Sequence, residues 1–176
     1  MKFVRTGPFV CLLASVLFAL PAGAQLSRDG GRTQIGANQL EVAERDSRAV
    51  YIGDVDVVQG DARLRADRLT INFAGNSTSE NGGGFGDIDN MIAEGNVFYI
   101  TPELRARGNR GEYQAATETI VLTGDVIISR CGDVAKGEKL VLKTETGQST
   151  LDGGENAERV VTIIDPEEDT AQECES

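Results

Sequence analysis

Residues Tyr51 to Ile71 read YIGDVDVVQGDARLRADRLTI, and the spacing of apolar side chains in this stretch decides the fold class. Val55-Asp56-Val57-Val58 and Arg63-Leu64-Arg65-Ala66 alternate with a period of two, the pattern of strands with one face buried. Gly60-Asp61 between them is a turn former. The stretch therefore predicts two strands meeting at a turn.

The same register recurs twice further on: Gly, Asp or Asn, Val, then ten residues, then a small residue, a polar or acidic residue and a base. Gly53-Asp54-Val55 goes with Ala66-Asp67-Arg68, Gly95-Asn96-Val97 with Gly108-Asn109-Arg110, and Gly124-Asp125-Val126 with Gly137-Glu138-Lys139. A turn former sits near each centre: Gly60-Asp61, Pro102 and Gly132-Asp133. Val126-Ile127-Ile128 and Lys139-Leu140-Val141-Leu142 supply the third unit's strands. Similar units stacked side by side predict a solenoid-like β architecture.

The repeat also superposes cations. Arg63 falls on Arg105, Arg65 on Arg107 and Lys136, and Arg68 on Arg110 and Lys139. On adjacent strands these side chains would lie ~4.8 Å apart, and like charges placed opposite one another destabilise a sheet. Two explanations stay open: interleaved acids (Asp61, Asp67, Glu138) compensate, or an anionic headgroup binds along Arg65, Arg107 and Lys136.

Composition narrows the function. The 176 residues carry 17 Lys and Arg against 28 Asp and Glu, a net charge of −11, with 21 Gly and no His or Trp. Absence of His removes His-based acid–base chemistry and metal sites. Net acidity argues against nucleic acid, whose binders present basic faces. Among carboxylates, Asp54 and Asp56 share a strand face as solvated residues would. Asp87-Ile88-Asp89-Asn90 lacks the calcium-loop pattern and its closing Glu, and Gly82-Gly83-Gly84 lacks the Lys-Ser/Thr of a phosphate loop. No catalytic residues, metal ligands or cofactor are expected, and the chain does not read as an enzyme.

The ends read as address and tail. Lys2 and Arg5 precede a twelve-residue apolar run, Phe9 to Leu20. Pro21 and Ala22-Gly23-Ala24 follow, the form of a signal peptide cleaved after Ala24. Residues 1–24 are thus read as a leader, 25–166 as one domain, and 167–176 as a disordered tail. Six acids and no base occupy Asp165 to Ser176. Ala74 to Asp87 (AGNSTSENGGGFGD) reads as a mobile loop, and Arg159 to Ile164 (RVVTII) as the last strand. Cleavage leaves Cys131 and Cys174, which either pair or are incidental surface thiols.

In its ordered blocks the chain resembles the OstA/LptA family of periplasmic lipopolysaccharide-transport proteins. The blocks are ANQLEV (Ala37 to Val42), YIGDVDVVQG (Tyr51 to Gly60) with LRADRLTI (Leu64 to Ile71), and IAEGNVFY (Ile92 to Tyr99). GEY with IVLTGDV (Gly111 to Val126), KGEKLVLKTETGQ (Lys136 to Gln148) and ERVVTIIDP (Glu158 to Pro166) follow. The resemblance implies an all-β jelly-roll of antiparallel strands with an open apolar groove that shields lipid acyl chains, each exposed CH₂ costing ~0.8 kcal/mol in water. It places lipid contacts at Ile35, Phe98, Tyr113 and Ala115. It implies head-to-tail self-association through the first strand (Thr33 to Val42) and the last (Arg159 to Ile164). As partners it implies lipopolysaccharide (lipid A), an LptC-like inner-membrane protein and an LptD-like outer-membrane translocon. The acidic tail is expected to limit that association. The alternatives are a periplasmic adaptor of the same fold that binds no lipid and an LptC-like anchored member. A glycan binder would want more aromatic platforms than three Tyr and six Phe.

Overall fold

The computed structural model describes residues 26, 31–74, 87–154 and 159–164. The leader (1–24), most of the Gly/Ser/Asn tract (75–86), the acidic tail and Cys174 lie outside them. The described residues form ten strands: β1 (Thr33–Gly36), β2 (Gln39–Ala43), β3 (Arg48–Gln59), β4 (Ala62–Phe73), β5 (Ile88–Ile100), β6 (Arg105–Gln114), β7 (Thr119–Arg130), β8 (Asp133–Lys143), β9 (Ser149–Asp152) and β10 (Val161–Ile163). They pair antiparallel in the order β1-β3-β4-β5-β6-β7-β8-β10, with β2 also on β3 and β9 also on β8. The two terminal strands do not pair, so the sheet stays unclosed. The architecture is a jelly-roll, and the described residues are all β apart from two single 3-10 turns at Glu44–Asp46 and Ala115–Thr117.

The repeated Gly-Asx-Val does not mark the start of a unit, as expected from sequence, but a bulge in the middle of a long strand. On β3 the register jumps from Ile52 to Val55 while β4 advances only from Arg68 to Ala66. The same two-against-one step recurs between β5 and β6 and between β7 and β8. Both bulge residues are left-handed: φ is +75° at Gly95 and +46° at Asn96, and the Gly53-Asp54 and Gly124-Asp125 pairs match them. Gly enters this region without a Cβ penalty, and Asn and Asp are the next most tolerant. The motif is therefore the chemistry of the bulge.

The partner strands show the other half of the device. On β4 the inward residues are Ala62, Leu64 and Ala66, then Leu69 and Ile71, so Asp67 and Arg68 both face out. β6 makes the same shift around Asn109-Arg110. The small-polar-base signature is where an even-numbered strand changes phase, while the extra residue keeps the odd-numbered strand in phase. Asx side chains stitch the row: Asn38 Nδ2 donates to Asp54 Oδ2 at 3.0 Å and Asn96 Nδ2 to Asp67 Oδ2 at 2.9 Å.

The sheet bends along this row, and its edge strands are split there. The expected first strand is two, β1 on the far half of β3 and β2 on the near half, parted at Ala37-Asn38. β10 and the unanticipated β9 likewise share the two halves of β8. The expected last strand shrinks to Val161–Ile163. The repeats thus make one continuous bent sheet rather than a solenoid of separate units. The β7–β8 turn falls on Cys131-Gly132, one residue before the expected position.

Candidate functional site

An apolar groove lies between the two halves of the bent sheet. Leu64 from the hairpin half and Leu69, Met91, Ala93, Tyr113, Ile120 and Leu122 from the other half line one small cavity. They belong to a single buried cluster with Val55, Val57, Val97, Tyr99 and Leu140. Where the free margins of the halves approach, a cavity of about 100 Å³ is lined by Tyr99, Thr101, Leu104 and Arg130 on one side and Leu142, Thr144 and Gly147 on the other. A wider concavity of about 460 Å³ opens beside Ile88, Ala115 and Glu118. Burial of this interior is the main stabilising term, at roughly 25 cal/mol per Å².

The four residues expected to face lipid do not share one face. Tyr113 is buried in the groove, and Ile35 and Ala115 are half-buried against the same cluster. Phe98 is 39% exposed and lies on the outer face. There it falls into register with the expected headgroup cations, giving the row Asp56–Arg65–Phe98–Arg107–Ile127–Lys136–Val161 across seven strands. The cations therefore occupy alternate strands with an apolar side chain between them, and are not neighbours at one strand spacing. The next row along the strands places Arg63 and Arg105 on either side of Ile100.

Asp56 and Glu94, which were not among the acids expected to compensate, pair with cations on this face. Asp56 takes a bidentate pair from Arg63 Nε and Nη2, both at 2.6 Å, with Arg65 Nε at 3.6 Å. Hydrogen bonding from Arg63 holds the Asp56 carboxyl below its ordinary range; partial burial opposes this, and the charges of Arg63 and Arg65 add to it. Glu94 separates Arg68 from Arg110 and binds Arg110 Nη1 at 2.8 Å. Arg107 and Lys136, with Arg159, line an outer concavity of about 400 Å³ that also holds Asp125 and Glu138. Cys131 is disulfide-bonded, and Cys174 is not among the described residues. Among the described residues no cluster of His, Cys, Asp or Glu could hold a metal, and no helix is long and apolar enough to cross a membrane.

Of the cavity lining, sequence alone reached Tyr113 but not Leu69, Met91, Ala93, Ile120 or Leu122, and it also missed Leu26, Gln59 and Tyr99, all buried. Gln59 and Tyr99 stood in the alternation: Val55, Val57 and Gln59 share parity on β3, as do Val97 and Tyr99 on β5. Leu26, ahead of the repeats, carried no such signal.

Comparison with known proteins agrees with this geometry. The family model described as LptA/(LptD N-terminal domain) LPS transport protein matches residues 34–148. An uncharacterized protein of Rhizobium meliloti is 33% identical over 88% of this chain and 82% of its own. The lipopolysaccharide export system protein LptH of Pseudomonas aeruginosa is 26% identical over 82% of each chain. The LPS-assembly protein LptD of Aliivibrio fischeri is 28% identical over 62% of this chain, which is 12% of LptD. The crystal structure of LptH, the LptA-homologous periplasmic component of the transport device in Pseudomonas aeruginosa, superposes with a TM-score of 0.66 at 21% identity. That match covers 83% of this chain and all of LptH. The bent, unclosed sheet and the family match together place the chain in the LptA/LptD N-terminal domain family of lipopolysaccharide transport proteins.

Proposed function

We propose that this protein is a periplasmic lipopolysaccharide-binding component, without enzymatic activity, that bridges the inner and outer membranes and shields lipid A acyl chains in its groove. The observation that carries this reading is the interior itself: an apolar space between two halves of one sheet, open along its margins, in a chain of this family. Acyl chains cannot cross water unaided, and a greasy lining offsets the cost of their exposure. Ile35, Tyr113 and Ala115 are assigned to acyl-chain contact. Phe98, Arg65, Arg107 and Lys136 face the other way, and their part in the same reading is contact with lipid or headgroup phosphates at the outer surface.

The sheet edges, which pair with no other described strand, support head-to-tail stacking by strand addition. Leu40 and Val42 are exposed on β2 at one edge, and Val161 and Ile163 on β10 at the other. An LptC-like inner-membrane partner and an LptD-like translocon are the expected neighbours at the two ends of such a stack. A Cys131–Cys174 bond, which non-reducing peptide mapping would detect, would tie the tail to the β7–β8 turn.

The test is photo-crosslinking in intact cells with a benzophenone amino acid at Tyr113 and, separately, at Phe98. A lipopolysaccharide-reactive adduct at 113 that exceeds the one at 98 supports the groove. Protein adducts with no lipid adduct at either position would overturn it in favour of an adaptor that binds no lipid.

A further inference from the structure

Gln59 is an anomaly of the groove. It stands at an inward position of β3 where Val55 and Val57 lead, and it is 3% exposed. A buried amide costs about 1–3 kcal/mol when its hydrogen bonds are unmade, so such a residue needs a partner inside. Its partner is main chain: the Leu26 N–H donates to Gln59 Oε1. Tyr99, 3% exposed on β5, donates its hydroxyl to the Leu26 carbonyl at 2.8 Å. Gln59 Nε2 also donates to the Gly31 carbonyl at 3.3 Å. The Leu26 side chain, 4% exposed, sits among Leu64, Leu69, Met91, Tyr113 and Leu122.

We infer that Gln59 and Tyr99 form a main-chain clamp inside the groove whose resting ligand is the chain's own Leu26, and that a carbonyl-bearing acyl chain binds by displacing it. The inference rests on the lipid-groove reading above. Three features favour exchange over permanent packing. The Leu26 main chain bonds to two side chains and pairs with none of the described strands, so its departure breaks no rung of the described sheet. Its side chain fills apolar space of the kind an acyl chain would fill. The two polar groups suit the junction of an amide-linked chain, because Tyr99 Oη can donate to its carbonyl oxygen as it does to that of Leu26, and Gln59 Oε1 can accept from its N–H as it does from that of Leu26. The N–H and carbonyl of such a chain would then take over the two bonds that the Leu26 main chain makes at rest. A resting occupant lowers apparent lipid affinity by the fraction of molecules in which it is bound.

The experiment follows the Leu26 amide by hydrogen exchange in the exported protein, with and without micelles of purified lipid A, and measures lipid A affinity for wild type, Leu26→Asp and Tyr99→Phe. The Leu26 amide should be protected at rest and lose at least about tenfold of that protection with lipid. Leu26→Asp should bind lipid A roughly tenfold more tightly, because the occupant no longer competes. Tyr99→Phe, which keeps the ring, should loosen the Leu26 amide without unfolding the sheet. An amide unprotected at rest would overturn the inference. So would lipid uptake with the amide still protected, or equal or weaker binding by Leu26→Asp; these outcomes leave the groove reading intact. If neither wild type nor Leu26→Asp takes up lipid A, the groove reading falls and this inference with it.

Discussion

Phe98 and Tyr99 are consecutive aromatic residues on one strand, and the pleat sends them to opposite sides of the sheet. Tyr99 is 3% exposed, holds Leu26 and helps to close the groove; Phe98 is 39% exposed and lies between Arg65 and Arg107. A single strand therefore contributes to two surfaces with different physics. The inner one is held by apolar burial, where the loss of packed contacts is felt directly. The outer one alternates cations with apolar side chains in water, where each contact is weak and screened. Hydrophobicity alone does not tell the two aromatics apart. Their parity relative to the bulge row does.

The sharpest way to break this comparison is to truncate one residue of similar size on each face. Leu122 is fully buried on β7, and Ile127 lies half-buried on the outer side of the same strand. Leu122→Ala should cost about 3 kcal/mol, within the range for leucine truncation in a packed core. Ile127→Ala should cost less than about 1 kcal/mol. Urea unfolding monitored by circular dichroism measures both. Equal losses would mean that the outer row is covered by something in solution and is no free surface.

Much of the fold was legible because its rules are local. Alternation in Tyr51 to Ile71 gave strands, and three copies of Gly-Asx-Val gave the repeat. What the sequence hid was where those motifs sit. Gly followed by Asp or Asn is turn chemistry and bulge chemistry alike, and only pairing with both neighbouring strands tells them apart. The consequence was large for the outer row. Reading the repeat as adjacent units stacked the cations directly, whereas hairpin partners place Phe98 and Ile127 between them. Leu26 was invisible for a different reason: one leucine outside any periodic pattern gives no sign of the cavity it fills.

The bulge row itself offers the next, smaller effect. A Cβ on Gly95 would come within 2.3 Å of Asp67 Oδ2, and φ there is +75°. Asp67 Oδ2 can swing away only by giving up its bond from Asn96, and Asp67 Cβ stays 3.0 Å from the new methyl, so contact adds to the cost of the backbone conformation. Gly95→Ala should lose about 1–2 kcal/mol. Gly36→Ala is the control, since its Cβ would meet only the Asp56 carbonyl oxygen at 3.9 Å, and it should change stability by less than about 0.5 kcal/mol. Matching losses at the two positions would show that the left-handed bulge is not what glycine supplies. A loss at Gly95 alone would locate the bend in the motif that the sequence repeats.

The smallest effect is expected from the best-formed ion pair on the outer face. Arg63 and Asp56 meet in a fork at 2.6 Å on both arms, yet their side chains are 42% and 35% exposed. Solvent and salt therefore reduce the pair to less than about 1 kcal/mol, and Asp56→Asn should cost no more than that at pH 7. The sign of its pH dependence follows from the lowered carboxyl pKa. The unfolded chain, with Asp near about 3.9, takes up the proton at a higher pH than the folded one. The contribution is thus complete above the unfolded value and is lost as pH falls through the folded value. The gap between wild type and Asp56→Asn should be constant through neutral pH, narrow below about pH 4, and shrink in high salt. Leu122→Ala should show none of this, because no charge changes when a methyl-lined void is opened. If Asp56→Asn instead cost as much as Leu122→Ala and resisted salt, Asp56 and Arg63 would have to be desolvated in solution. The outer face would then be a covered surface, with the same physics as the groove.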